Sequence, residues 1–261
     1  ERKLKKKIEE IGTPLKDWDV KIYRGILTGC NEAFVINEDK RKELIQKDPK
    51  SNEIIKPILR GRDIKRYSYD WQGLYLIDSH NGYKNNSGKQ VPPIDITQYP
   101  AIKKHLDQYC EKIFKRQDQG GTPYNLRDCS YYTQFTGEKM IFTKASKEQA
   151  FALDSNELFL LNTSYLVTGK YVKVICAILN SIFAKYVFNS FYEGGGIKGE
   201  ITITSIEKFP IPPITDQNRP TVDKIENLVD EILTIKKDDP TTDTGKQEKQ
   251  IDHLVYQLYD L

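Results

Sequence analysis

The chain has 261 residues, 38% hydrophobic and 30% charged, which suits a folded protein with a real core and excludes a disordered one. No apolar run approaches the about 20 residues that span a bilayer, so no membrane partner is expected. Forty Lys and Arg oppose 37 Asp and Glu, a formal +3, so the distribution of charge has to point to a partner, not its sum.

The opening ERKLKKKIEE has no apolar segment behind it and is not expected to be a secretory signal. Residues 1–9 read instead as the end of a basic helix broken by Gly12 and Pro14, and 1–17 as a linker from an upstream domain. Met140 is the sole methionine, and the chain is expected to be part of a longer polypeptide. A body spanning 18–219 follows. Segments 22–26 and 33–36 read as strands, and Asn37 is placed to cap a helix through Gln46 that Asp48-Pro49 closes. LYLI at 74–77 predicts a buried strand, and DSHNGYKNNSGKQVPP after it a long polar loop.

Tyr99-Pro100 opens a predicted helix to about Gln117, followed by a second long loop, DQGGTPYNLRDCSYY. KMIFT, FALD and LFLLNTSYLVT predict strands. Residues 170–188 predict one helix with Val172, Ile175, Cys176, Leu179 and Phe183 on one side. YEGGGIKGE reads as a glycine-rich loop leading to ITITSI, and three prolines keep KFPIPPI out of regular structure. From 220 to 261 the pattern is a helical hairpin. Val222, Ile225, Val229 and Ile232 form one seam, KKDDPTTDTG separates, and Ile251, Leu254, Val255 and Leu258 form the other. Such a hairpin needs a partner, either the 1–9 helix, a domain outside the chain or a second copy. The whole reads as α+β: a mixed β-rich body with packed helices, then the C-terminal hairpin.

Catalytic signatures are missing. There is no G-x-S-x-G elbow, no P-loop and no G-x-G-x-x-G after a strand, and Gly194–Gly196 reads as a turn. Cys30, Cys110, Cys129 and Cys176 form no C-x-x-C pair and are expected to be reduced in a cytoplasmic protein, while three scattered histidines predict no zinc site. The triplets Asp19-Val20-Lys21 and Asp63-Ile64-Lys65 resemble half of a metal-dependent nuclease signature without the upstream Pro-Asp, at a frequency chance explains.

Three features remain. KPILRGRDIKRY, at 56–67, holds Lys56, Arg60, Arg62, Lys65 and Arg66 against one acid, Asp63. It suits phosphates, or else is a solvated turn in which Asp63 pairs with a neighbouring Arg. The first long loop offers His80, Asn81, Tyr83, Lys84, Asn85, Asn86, Lys89 and Gln90. The second offers Arg116, Tyr124, Asn125, Arg127 and Tyr131. Arg pairs with guanine and Asn with adenine in the major groove, and Tyr adds ring area and a hydroxyl for phosphate, so both loops are candidate base readers.

RGILTGCNEAFVI, then DPKSNEIIKPILRGRDIKRY, YPAIKKHLDQY, TPYNLRDCSYY, FALDSNELFLLNTSYLV, ILNSIFAKYVF, FPIPPI and IDHLVYQLYDL follow one another in order. As a set they resemble the TaqI-like C-terminal specificity domain of type IIG restriction–modification enzymes, from about Asp19 to Leu261. The resemblance implies a parent chain of nuclease, adenine-N6 methyltransferase and this target-recognition domain. S-adenosylmethionine and magnesium then belong to the parent, and double-stranded DNA and the upstream domains are the partners. The methyltransferase signature Asn/Asp-Pro-Pro-Tyr is missing, and TPYN at 122–125 is no substitute, so recognition rather than catalysis is implied here. On this reading the 56–67 segment grips phosphates, the loops read bases, and Arg24 and Asn31 brace the bend or face DNA. The rival readings are an assembly module acting through the terminal helices and a stand-alone nuclease.

Overall fold

The computed structural model describes residues 2–192 and 201–261; the glycine-rich stretch read as a turn at 194–196 lies outside them. The organising element is an antiparallel four-stranded sheet in the order Phe151–Asp154, Lys139–Thr143, Ser164–Gly169, Val20–Arg24. Its strands bury both faces, and side-chain alternation sends successive residues to different interiors. Met140, Phe142, Leu153 and Val167 join one core, whereas Ile141, Ala152 and Leu166 join the other. The sheet is thus a middle layer, which explains why Met140–Phe142 and Phe151–Leu153 are continuously apolar.

A second sheet, ordered Phe159–Leu160, Ile55–Leu59, Leu74–Ile77, Val35–Asn37, shares the second core with the helices Glu38–Lys47, Pro100–Asp107 and Cys110–Lys115. Asn37 caps the first of these, accepting the Lys40 N–H at 2.9 Å as its position predicts. Between the sheets the chain passes through the bend after Arg24. A Cβ on Gly25 would lie 2.1 Å from the Leu161 carbonyl oxygen, and Gly29 takes φ +67°, so only glycine suits either place.

Three predicted elements take a different form. Residues 31–34 are a helical turn, not the start of a strand, which begins at Val35. The Thr28 hydroxyl accepts the Cys30 N–H and donates to Asn31 Oδ1 at 2.6 Å, and the Cys30 carbonyl accepts from Ala33 and Phe34. Local polar bonding has outcompeted extension there. The helix expected from 100 to 117 breaks after Asp107, where Gln108 and Tyr109 turn back onto the His105 and Leu106 carbonyls, and a second helix begins at Cys110.

The helix expected over 170–188 is two, Val172–Asn180 and Ile182–Phe191, bent by 69°. Ser181 makes the corner. Its hydroxyl donates to Ile178 O at 2.6 Å and accepts the Ala184 N–H at 3.1 Å, while Gln149 Nε2 reaches Ser181 O at 2.9 Å and Asp252 accepts the Ile182 N–H at 2.8 Å. The groups freed by the break are therefore partnered. No single described helix is long and apolar enough to cross a membrane.

The C-terminal hairpin comprises Arg219–Asp238 and Gly245–Leu258. Val222, Ile225, Val229 and Ile232 are buried against Val172–Asn180 and the final helix, within the first core. Its partner is therefore the chain's own central helix. The seam is covered and offers no surface for self-association. The N-terminal helix Arg2–Ile11 contributes Ile8 to the same core, and Thr13–Pro14 pairs antiparallel with Pro210–Ile211.

Candidate nucleic-acid interface

Strand Ile55–Leu59 delivers the basic segment to the rim of a cleft of about 820 Å³. Its members are not equivalent. Arg60 donates from Nε and Nη2 to the two Asp63 carboxylate oxygens at 2.7 and 2.8 Å, so this pair is neutral and structural. Arg66 Nε lies 2.5 Å from Glu248 Oε2 on the final helix and is likewise compensated. Lys56 is four residues up the strand, facing Asp78 and His80 and not lining the cleft.

Arg62 and Lys65 are exposed at the cleft with no carboxylate within ion-pair distance among the described residues. Lys65 Nζ reaches only the Arg62 carbonyl, at 3.0 Å. Lys185, from the bent helix, and the hydroxyl-bearing Thr143, Ser146 and Thr163 also line the cleft. Among the described residues Lys185 has no carboxylate partner either, so Arg62, Lys65 and Lys185 stand beside these hydroxyls with Glu148 as the acid of the cleft lining. Asn31 lines the cleft while bonded to Thr28, and Arg24 Nε donates to Asn162 O at 3.2 Å as a brace.

The two long loops are one body. Asn81 bridges them, donating to Asp128 at 2.6 Å and accepting the Gly121 N–H at 2.7 Å. Ser79 donates to Tyr124 O at 2.6 Å, and the Leu126 N–H donates to Ser79 O at 2.8 Å. Besides Asn81 itself, two predicted base readers are consumed by this joint. Arg116 is buried, its guanidinium spread over the carbonyls of Thr28, Asp118, Pro123 and Asn125 and stacked 4.5 Å above Phe34. Burial pulls its pKa down to about 10, yet it stays charged at neutral pH. Asn125, also buried, donates to Ile94 O at 2.9 Å and accepts from Thr122 at 2.5 Å. Neither can reach a base.

The rest divide similarly. Asn85 Oδ1 holds its own turn, accepting from Ser87 N, Ser87 Oγ and Lys89 N. Tyr124 donates to Asp107 at 2.6 Å, and Tyr131 stacks on Tyr23 at 4.7 Å. Tyr83 stacks at 4.0 Å on Tyr132, itself against Phe159 and His80. Arg127 is exposed but pairs with Asp118 at 3.3 Å. Lys84 and Lys89 are exposed, on a small ribbon of Tyr83–Lys84 and Gln90–Val91.

Sequence reasoning missed Lys185 and the hydroxyl wall, because they come from other elements and carry no local pattern. It also missed two buried acids. Asp154 accepts from buried Lys139 at 2.6 Å and from Tyr69 at 3.0 Å. Asp78 accepts from Tyr132, and burial raises its pKa to about 6. The charged residues at the margins of KMIFT and LYLI were the only signal. Asp63 of the nuclease-like triplet is bound to Arg60, and among the described residues no group of His, Cys, Asp and Glu is arranged to hold a metal.

Layered α+β sheets, a basic cleft and a looped protrusion define a binding module. The chain belongs to the TaqI-like C-terminal specificity domain family, whose model matches residues 56–211. It is similar to the type II methyltransferase M.MjaIV of Methanocaldococcus jannaschii, with 25% identity over 250 residues covering 90% of this chain and 77% of the relative. Its fold is similar to that of the type IIL restriction–modification enzyme MmeI, solved in complex with DNA. The TM-score is 0.67 at 12% identity, over 94% of this chain and 33% of MmeI, so the chain spans about a third of that structure.

Proposed function

We propose that this chain is the double-stranded DNA recognition module of a restriction–modification enzyme. It holds the duplex by its phosphates while other domains methylate adenine at N6 and cut. The observation that carries the reading is the cleft: Arg62, Lys65 and Lys185, with no ion-pair partner among the described residues, converge beside Thr143, Ser146 and Thr163. Phosphate contacts of this kind fix register without reading sequence, and base discrimination then falls to the protruding loop body. The family resemblance and the DNA complex of the MmeI relative support the same assignment.

The parent is a type IIG enzyme acting in the cytoplasm, with its S-adenosylmethionine and magnesium on upstream domains. The residues present here do not suit those groups: Asn125 of TPYN is spent on Thr122 and main-chain carbonyls. No chemical step is assigned to this chain. Its contribution is to hold the duplex where a partner domain can flip and modify a base.

The test is duplex affinity against salt, measured by fluorescence anisotropy with a random-sequence duplex. The triple variant Arg62→Ala/Lys65→Ala/Lys185→Ala is expected to bind all duplexes more weakly and to lower the salt slope by roughly 3, about one per lost phosphate contact. Unchanged affinity and slope in that variant would falsify the reading.

A further inference from the structure

Resting on the duplex-DNA reading above, we propose that the ribbon of Tyr83–Lys84 and Gln90–Val91 alone enters the major groove. Asn86 and Gln90 are its base-reading residues, flanked by Lys84 and Lys89, and the 116–128 loop is its buttress. The chain thus has one reader, not two.

The ribbon has the form such a reader requires. Register sets Tyr83 opposite Val91 and Lys84 opposite Gln90. Alternation then gives the ribbon two unlike faces. The Tyr83 face is anchored by the stack on Tyr132, while Lys84, Asn86, Lys89 and Gln90 are exposed, Gln90 Nε2 donating to the adjacent Val91 O at 3.1 Å and its amide oxygen left open. Asn85 is excluded as a reader because its side-chain Oδ1 closes the turn, accepting from Ser87 and Lys89. A Cβ on Gly88 would meet nothing within 4 Å, so that side of the tip faces open space.

Size and chemistry agree. From Tyr83 to Asn86 the ribbon extends about 10 Å at roughly 3.3 Å per residue, enough to reach the floor of a major groove about 8.5 Å deep that admits a two-stranded ribbon. The segment 82–93 holds two lysines and no acid, so it is not repelled by phosphate. Asn and Gln read adenine bidentately. Strand Ile55–Leu59 spaces the two contacts. Ile55, at its start, pairs with Ile77, which leads into the ribbon, and Arg60, just past its end, leads into the cleft. That separation, roughly 16 Å over five residues, keeps the two contacts apart.

In the 116–128 loop Arg116 and Asn125 are buried in carbonyl contacts, Arg127 is exposed but paired with Asp118, and Asn81, Asp128 and Gly121 lock the loop to the ribbon's stem.

The experiment selects from a randomised duplex library with the 261-residue chain, sequences the bound fraction, and measures affinity for selected and random duplexes against salt. The neutral double variant Asn86→Ala/Gln90→Ala is expected to lose at least about tenfold in its selected-over-random ratio, with an unchanged salt slope. Arg127→Ala, on the buttress, is expected to keep the wild-type consensus. A double variant with the wild-type consensus and ratio, while the Arg62/Lys65/Lys185 variant still loses duplex, overturns the ribbon and leaves the cleft standing. A changed consensus in Arg127→Ala overturns the single-reader assignment. Absence of duplex binding by the wild-type chain removes the DNA reading, and this proposal with it.

Discussion

Asp78 sits beneath the ribbon with one carboxylate oxygen held by Tyr132 and the other, Oδ1, without a partner. Burial raises its pKa from 3.8 to about 6. Lys56 opposes this, and nearby Cys129 is itself pushed up to about 11. A carboxyl whose folded pKa exceeds its unfolded value stabilises fully below pH 3.8, and that contribution is lost as pH rises through about 6. The loss is on the order of 3 kcal/mol. His80 runs the other way. Burial lowers it to about 4, so its neutral form costs stability below its unfolded value and the cost vanishes as pH rises. The wild-type profile is therefore flattened, and the variant isolates Asp78. Asp78→Asn is expected to match the wild type in urea unfolding at pH 4 and to exceed it at pH 8; a gap that does not grow between the two would show that no buried charge is being carried. Arg116→Ala, by contrast, leaves four carbonyls short of a donor and is expected to cost about 3 kcal/mol or more. Its readout is the denaturation midpoint.

At the scale of elements, the corner at Ser181 lets the bent helix present Lys185 to the cleft. Ser181→Ala removes the hydroxyl that caps Ile182–Phe191 and is expected to cost about 1 kcal/mol, seen as a lower thermal midpoint. Ile225→Ala in the C-terminal hairpin is expected to cost about 2–5 kcal/mol with no change in sedimentation, since its seam is filled by the chain's own helix. A shift in oligomeric state with that variant would revive an assembly role.

How legible these elements were follows from what holds each of them. Apolar runs such as KMIFT and LYLI were read as strands because burial alone dictates them. The Asn37 cap was read because its partner is three residues away. The turn at 31–34 and the break at 181 were missed, since both depend on short hydroxyl and amide bonds that leave no periodicity. The basic segment was legible as charge. Which of its charges are free was not, because Glu248, which compensates Arg66, is brought to it only by the tertiary fold. Arg116 shows the same limit: in sequence it is a loop arginine, and in the fold it is a brace.

Across the whole molecule the middle sheet ties two interiors together, with Met140 and Phe142 serving one and Ile141 the other. An extra residue within 139–143 would exchange those assignments and spoil both cores at once. A residue added beside Gly88 would disturb the local Asn85 turn but meet neither core. An inserted residue is therefore expected to unfold this chain when placed in the central strands and to be tolerated at the ribbon tip, as a thermal midpoint would show.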